Sequence, residues 1–136
     1  MNGAWRTDAG RVRTVNEDAV YLNEQDDGIV LAMVADGMGG HQAGEVASVT
    51  AIDVIREELK AVNSQTLAEE ARQCMEAAIL KANQAIYERA QSDPQLAGMG
   101  TTIVVALVTR DWGWIAHIGD SRAYAWQSSR LQPITA

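Results

Sequence analysis

Three aspartates, Asp18, Asp36 and Asp120, each stand beside an apolar, strand-like run in a polar or glycine-containing setting. Carboxylates gathered at one end of a sheet repel one another, so the gathering costs stability until cations neutralise it. Hard divalent ions, Mg2+ or Mn2+, take oxygen donors and keep several waters. An Asp36 that bridges two ions, with the Gly37 carbonyl as a further donor, would form a two-metal centre. Ions about 3.5–4 Å apart can activate a water between them and stabilise in-line displacement at phosphorus. Arg13, five residues before Asp18, could hold phosphate oxygens bidentately. Such an assembly hydrolyses phosphate esters without a covalent enzyme intermediate. The plain alternative is a strand that closes in an Asp-Gly turn, a common pairing. On these residues alone both readings stand.

The elements that must deliver these groups are legible. Ile29 to Ala35 is an unbroken apolar run, which predicts a strand buried on both faces and ending at Asp36. Gly37, Gly39 and Gly40 follow, removing Cβ atoms that would keep a ligand from the backbone. Ala19 to Leu22 reads as a short strand, and Asp26-Asp27-Gly28 as a hairpin turn joining it to 29–35. That hairpin brings Asp18, before one strand, to the same sheet end as Asp36, after its antiparallel partner.

Apolar residues at 43, 46, 47, 51, 54, 55, 59 and 62 predict a helix over 43–62. Thr66 and Glu69 have the spacing of a capping box opening a second helix to Gln91, with its stripe at 67, 71, 74, 75, 78, 79, 82, 86 and 90. The stripe places Cys74 and Met75 in the core, and the two helices are expected to pair antiparallel with their apolar faces toward a sheet. Gly100 to Thr109 reads as one strand, Trp114 to Ile118 and Ala123 to Trp126 as two more, and 3–9 as a weakly marked first strand. Leu131 to Ala136 adds no closing element.

Composition limits the alternatives. A chain of 136 residues, 47% hydrophobic, fits one domain or part of one, with a core burying about 65–70% of the unfolded surface. A net charge of −7 argues against a nucleic-acid or anionic-membrane partner. No apolar run reaches the roughly 20 residues of a membrane span and the N-terminus has no apolar signal core, so a soluble, cytoplasmic protein is expected. Cys74, with Leu80 six residues on, lacks the Cys-x5-Arg loop of cysteine-dependent phosphatases. The glycine-rich stretch has no Gly-Lys-Ser/Thr and so is no P-loop.

Arg13-x-x-Asn16-Glu17-Asp18, Asp36-Gly37-Met38-Gly39-Gly40-His41-x-x-Gly44-Glu45, Gly100-Thr101-Thr102 and Gly119-Asp120-Ser121-Arg122 occur in the order and spacing of the metal-dependent type-2C protein phosphatases, the PPM family, in its bacterial branch. The sequence resembles that family over nearly its whole length. The resemblance implies hydrolysis of phosphoserine and phosphothreonine in proteins, on an α+β fold in which two sheets are flanked by helix pairs (an α-β-β-α sandwich, here only in part). It implies that Asp36 bridges two Mn2+ or Mg2+ ions and that Gly37 gives its carbonyl. Glu17 and Asp18 bind or orient metal waters, Arg13 takes the substrate phosphate, and Asp120 serves a third, weaker metal site. A bacterial Ser/Thr kinase would be the opposing enzyme.

Two departures qualify the resemblance. Met38 stands where animal-type members often carry a histidine and cannot donate a proton. The family pattern also continues beyond Ala136, to an Asp-His-Ser segment, a flap, a Ser-Asp-Gly motif and an Asp-Asn pair. The chain is therefore expected to be the N-terminal part of a single such domain. Alone it would be inactive or nearly so, and stable only when it pairs with the rest, self-associates, or belongs to a longer protein. The alternative from another class is a phosphatase-like regulatory module that binds a phosphoprotein without hydrolysing it; a fragment with no independent role is a third.

Other conspicuous residues have plain readings. His41 and Glu45, four apart, suit a helix cap or rim better than zinc. His117 reads as a strand histidine, Trp112 and Trp114 as shields of a sheet edge, and Trp5 and Trp126 as packing residues. Arg122 fits an ion pair with Asp120 or another acid, Arg11 an exposed position. Glu57, Glu58 and Lys60 read as a solvated helix face.

Overall fold

The computed structural model describes residues 4, 6–8, 16–24, 28–40, 42–121 and 123–133. Strands β1 (Asp18–Glu24) and β2 (Val30–Met38) precede helices α1 (Ala43–Glu58) and α2 (Ala68–Ser92), with a 3-10 turn at Leu59–Ala61 between the helices. Then come β3 (Gly100–Thr101), β4 (Ile103–Val108), β5 (Gly113–Ile118), β6 (Tyr124–Gln127) and β7 (Arg130–Pro133). A five-stranded sheet has the order β1-β2-β4-β5, with β3 also on β2, and β6 and β7 form a separate two-stranded sheet. Every pairing is antiparallel.

The β1–β2 hairpin forms as its sequence requires, although the turn residues Asp26 and Asp27 lie outside the described residues. Along β2 the burial alternates: Leu31, Met33, Ala35 and Gly37 are buried, whereas Val34 and Met38 are about half exposed. The strand expected to be buried on both faces is thus buried on one. Its covered face looks onto α1, which packs on β1, β2 and β3. On the other face Val34 registers with Val20 and Val104, where Val104 is buried and Val34 stays half exposed.

The helices are antiparallel, as the order of their cross-links shows: Glu58 at the end of α1 meets Lys81, while Thr50, two turns earlier, meets Arg89 further along α2. The α1 stripe is found as read, with Ala43, Ala47, Ala51 and Ile55 buried. Gly44, Ser48, Thr50 and Ile52 are buried too, because α1 packs against both the sheet and α2 and needs a wider covered face than a helix with one neighbour. In α2, Ala71, Met75, Ala78, Ala82 and Ile86 are buried. Cys74 is half-buried at the edge of the core, with its thiol directed to the Glu58 carbonyl at 3.7 Å.

Several expectations need correction. Thr66 does not form a capping box: its Oγ1 accepts the Asn63 backbone N–H at 3.0 Å, closing the loop before α2, whose N-cap Leu67 has no side-chain cap bond. Leu67, expected on the apolar stripe, is 66% exposed. Glu58 is not a purely solvated residue, since it pairs with Lys81 across the helices; Glu57 and Lys60 do form an exposed pair along one face. The run 100–109 is two strands interrupted at Thr102. Residues 130–133 form β7, where no closing element was expected. Its hairpin turns at Ser128 and Ser129, both at positive φ, a type I′-like solution usually marked by Asn-Gly or Asp-Gly. Within 3–9, the described residues Ala4, Arg6, Thr7 and Asp8 carry no regular structure.

Trp114 and Trp112 both pack on the core. Trp114 lies on edge strand β5, and its Nε1–H donates to the Ala68 carbonyl at 2.7 Å, tying that edge to the start of α2. His117, also on β5, has its Nδ1 buried with no hydrogen-bond partner among the described residues.

Candidate active site

Asp18 and Asp36 are Cα partners at the terminal pair of the β1–β2 ladder. Residues directly opposite on an antiparallel pair project from the same face, so the two exposed carboxylates emerge together. Asp36 reaches that position because β2 continues through the acid to Met38 instead of stopping in a turn, which removes the plain Asp-Gly-turn reading.

The neighbouring segment is held from below. Gly37 N–H donates to the Glu17 carbonyl at 3.1 Å, and the fully buried Ser48 of α1 donates its hydroxyl to the same oxygen at 2.7 Å. The first turn of α1 crosses β2 so closely that a Cβ at Gly37 would overlap the Gly44 carbonyl. A Cβ at Gly44 would overlap the Glu17 carboxylate. Gly37 is therefore required for this crossing, and Gly44 leaves room for the Glu17 carboxylate against the N-terminal turn of α1, where the helix favours negative charge. Asn16 shapes the approach: its Oδ1 accepts the Asp18 N–H at 3.0 Å, and its Nδ2 donates to Thr7 Oγ1 at 2.7 Å.

Asp36 is fixed by its main chain. Thr102 N–H donates to the Asp36 carbonyl at 2.9 Å, and Asp36 N–H donates to Thr102 Oγ1 at 3.2 Å. Thr102 Oγ1 is also 2.6 Å from Ser121 Oγ, next to the exposed Asp120.

The donor set suits a hard divalent cation: two paired carboxylates on stiff strands, a third carboxylate on the adjoining residue, and a glycine with no side chain beside the carbonyl in question. Among the described residues, no three His, Cys, Asp or Glu side chains converge closely enough to hold an ion by themselves. Asp120 lies on the loop after β5 and joins Asp36 through Thr102 and Ser121, not through direct clustering. Arg13, His41 and Arg122, with Arg11 and Trp5, lie outside the described residues, as does the Trp126 side chain. Glu45 is exposed in the first turn of α1, and Met38 is exposed at the end of β2.

Sequence reasoning named Asn16, Gly44 and Thr102 only as motif letters and missed Ser48 altogether. A hydroxyl on the apolar stripe of a helix is the signal that could have found it, since a buried hydroxyl needs a partner.

An antiparallel sheet with a helix pair on one face thus brings Asp18 and Asp36 to one sheet end, carboxylates of the kind a hard divalent ion takes as ligands. Comparison with known proteins makes this specific: a family model described as protein phosphatase 2C matches residues 7–135. The chain belongs to that family. It is 39% identical over 135 residues to the serine/threonine phosphatase stp of Listeria welshimeri, covering 99% of this chain and 54% of that protein. It is 38% identical over 132 residues to the serine/threonine protein phosphatase PstP of Mycobacterium tuberculosis, covering 97% of this chain and 24% of that protein. Among solved structures, Stp1 from Staphylococcus aureus superposes with a TM-score of 0.85 at 38% identity, over 96% of this chain and 51% of that one. The catalytic domain of PstP in complex with two manganese ions gives 0.81 at 37% identity, over 96% and 53%. The chain thus spans about half the length of the first curated relatives it matches.

Proposed function

We propose that this chain supplies the Asp36 side of a two-ion centre that hydrolyses phosphoserine and phosphothreonine in proteins. The observation that carries the reading is the Asp18–Asp36 pair at one end of the sheet, in a chain similar to a phosphatase domain solved with two manganese ions. Two Mn2+ or Mg2+ ions, when bound, would supply an activated water and charge stabilisation for the transferring phosphoryl group. Asp36 would bridge the ions, Gly37 would present its carbonyl, and Glu17 and Asp18 would orient the waters around them. Arg13 would hold the substrate phosphate, and Asp120 would serve a further ion. Met38 cannot protonate the leaving group, so another group must.

The remaining donors would come from the part of the domain that the relatives have in addition to this stretch. A protein substrate marked by a Ser/Thr kinase, a signalling role and a cytoplasmic location belong to the same proposal. Among the described residues no helix is long and apolar enough to cross a membrane. The test is Mn2+-dependent phosphate release from a phosphothreonine peptide by a protein extended to the relatives' length, beside the 136-residue chain and an Asp36→Asn variant. Turnover only by the extended, unsubstituted protein supports the proposal. Phosphopeptide binding without turnover by that protein would favour the regulatory-module alternative.

A further inference from the structure

Thr102 interrupts the β3–β4 run in an unusual way. By the register on either side, Gly37↔Thr101 and Val34↔Val104, it stands opposite Asp36. A regular pair would exchange two main-chain bonds. Here one is kept, from Thr102 N–H to the Asp36 carbonyl, whereas Asp36 N–H goes to the Thr102 hydroxyl. The displaced Thr102 carbonyl accepts the Thr101 hydroxyl at 2.7 Å instead. The side chain has taken the place of the main-chain acceptor, and its oxygen reaches on to Ser121 Oγ at 2.6 Å.

The loop carrying Asp120 rests on the same side chain. Gly119 has φ +94, and a Cβ there would lie 2.6 Å from Thr102 Cγ2. The 4%-exposed Thr102 is thus touched by both acid-bearing segments: its hydroxyl by Asp36 and Ser121, its methyl by the backbone turn before Asp120. A hydroxyl can accept one bond and donate another at the same time, so one buried group can span the two. Valine would keep the shape and lose both links; serine would keep both links and lose only the methyl.

We propose that Thr102 is a positioning residue that couples the placement of the Asp36 carboxylate to that of the Asp120 loop. This rests on the metal reading of those acids, but the coupling itself is a property of the metal-free chain. The test is Thr102→Val, Thr102→Ser and Ser121→Ala in the intact protein, with two readouts. Without metal, Thr102→Val is expected to speed amide exchange at Asp36 and to shift the Asp120 and Ser121 amide resonances, with the Ser variant near wild type. With Mn2+, Thr102→Val should weaken binding about tenfold or more, the usual scale for groups that orient metal ligands, and Thr102→Ser should restore it. Ser121→Ala should shift the Asp36 resonance from the far side of the link, which keeps the test decisive if the Val variant fails to fold.

Unmoved Asp120 and Ser121 signals in Thr102→Val, or an unmoved Asp36 signal in Ser121→Ala, would overturn the coupling. Unchanged Mn2+ affinity in Thr102→Val would overturn its role in placing the ligands. Absence of Mn2+ binding in the wild-type protein would instead refute the metal reading, while the exchange data would still judge the link.

Discussion

Asp18 and Asp36 stand opposite each other as the terminal pair of the β1–β2 ladder, two acids where a sheet would ordinarily place a complementary pair. Like charges directly opposite are destabilising, so this pair itself offers the metal-free fold no attraction for a substitution at Asp36 to remove. We predict that Asp36→Asn leaves the metal-free protein at least as stable as wild type. The same variant should lose the stabilisation that Mn2+ confers, about 2.7 kcal/mol at a hundred times the dissociation constant. Chemical denaturation with and without Mn2+ checks both halves; a metal-free Asn variant clearly weaker than wild type would contradict the repulsion argument.

The crossing of β2 and α1 leaves no room for side chains. Alanine at Gly37 must push the helix off the strand, because its Cβ would meet the Gly44 main chain, whereas at Gly44 the nearest obstruction is the movable Glu17 carboxylate. A loss of about 1–3 kcal/mol is expected, the usual cost of overpacking. Denaturation midpoints measure it, and an unchanged midpoint for Gly37→Ala would show that the crossing is looser than described.

Trp114 joins the β5 edge to α2 through one indole hydrogen bond. Trp114→Phe keeps much of the apolar contact and removes that bond, for an expected loss of about 0.5–1.5 kcal/mol. Equal stability would mean that the indole N–H is as well satisfied by water.

Burial, and secondarily the charge of Glu58, raises the Cys74 thiol above its ordinary pKa. The thiol therefore stays protonated in the folded protein at pH values where it ionises in the unfolded chain. Its contribution to stability is fully present below the unfolded pKa and is lost as pH rises through the folded one. Cys74 should react with iodoacetamide more slowly than a free thiol near pH 8, and Cys74→Ala should flatten the alkaline fall in stability. Labelling at the rate of a model thiol would count against it.

On the sheet face bearing Val20, Val34 and Val104, Val104 is buried but Val34 is 47% exposed. Apolar surface of this kind drives association. The 136-residue chain alone should self-associate in sedimentation runs as its concentration rises, and Val34→Asp should shift it toward monomer. A wild-type chain that stays monomeric at high concentration would refute this.

Much of the fold was legible because its signals are local. The 29–35 run and the Asp26-Asp27-Gly28 turn signal were enough to place Asp18 beside Asp36, and the helical stripes marked α1 and α2 to within a few residues. The failures were cases where tertiary contact overrides pattern. An apolar strand cannot say how many of its faces a neighbour covers, so Val34 was misjudged. Thr66 had capping-box spacing but found a nearer donor at Asn63. Ser128 and Ser129 turn the last hairpin without the usual residues. At the site, residue types revealed the acids, but not the hydroxyls of Ser48 and Thr102 that hold their main chains, since a single serine or threonine carries no periodic signature.

The central claim is that acids from separate strands present one cation site at the end of the β1–β2 ladder. Titrating the isotopically labelled protein with Mn2+ and following paramagnetic broadening of its amide signals tests it most directly. The account predicts that the signals of Glu17, Asp18, Asp36 and Gly37 broaden first, and that Asp36→Asn abolishes the effect. Broadening that begins instead on the acidic helix faces around Glu57, Glu69 and Glu76, with Asp18 and Asp36 untouched, would contradict it.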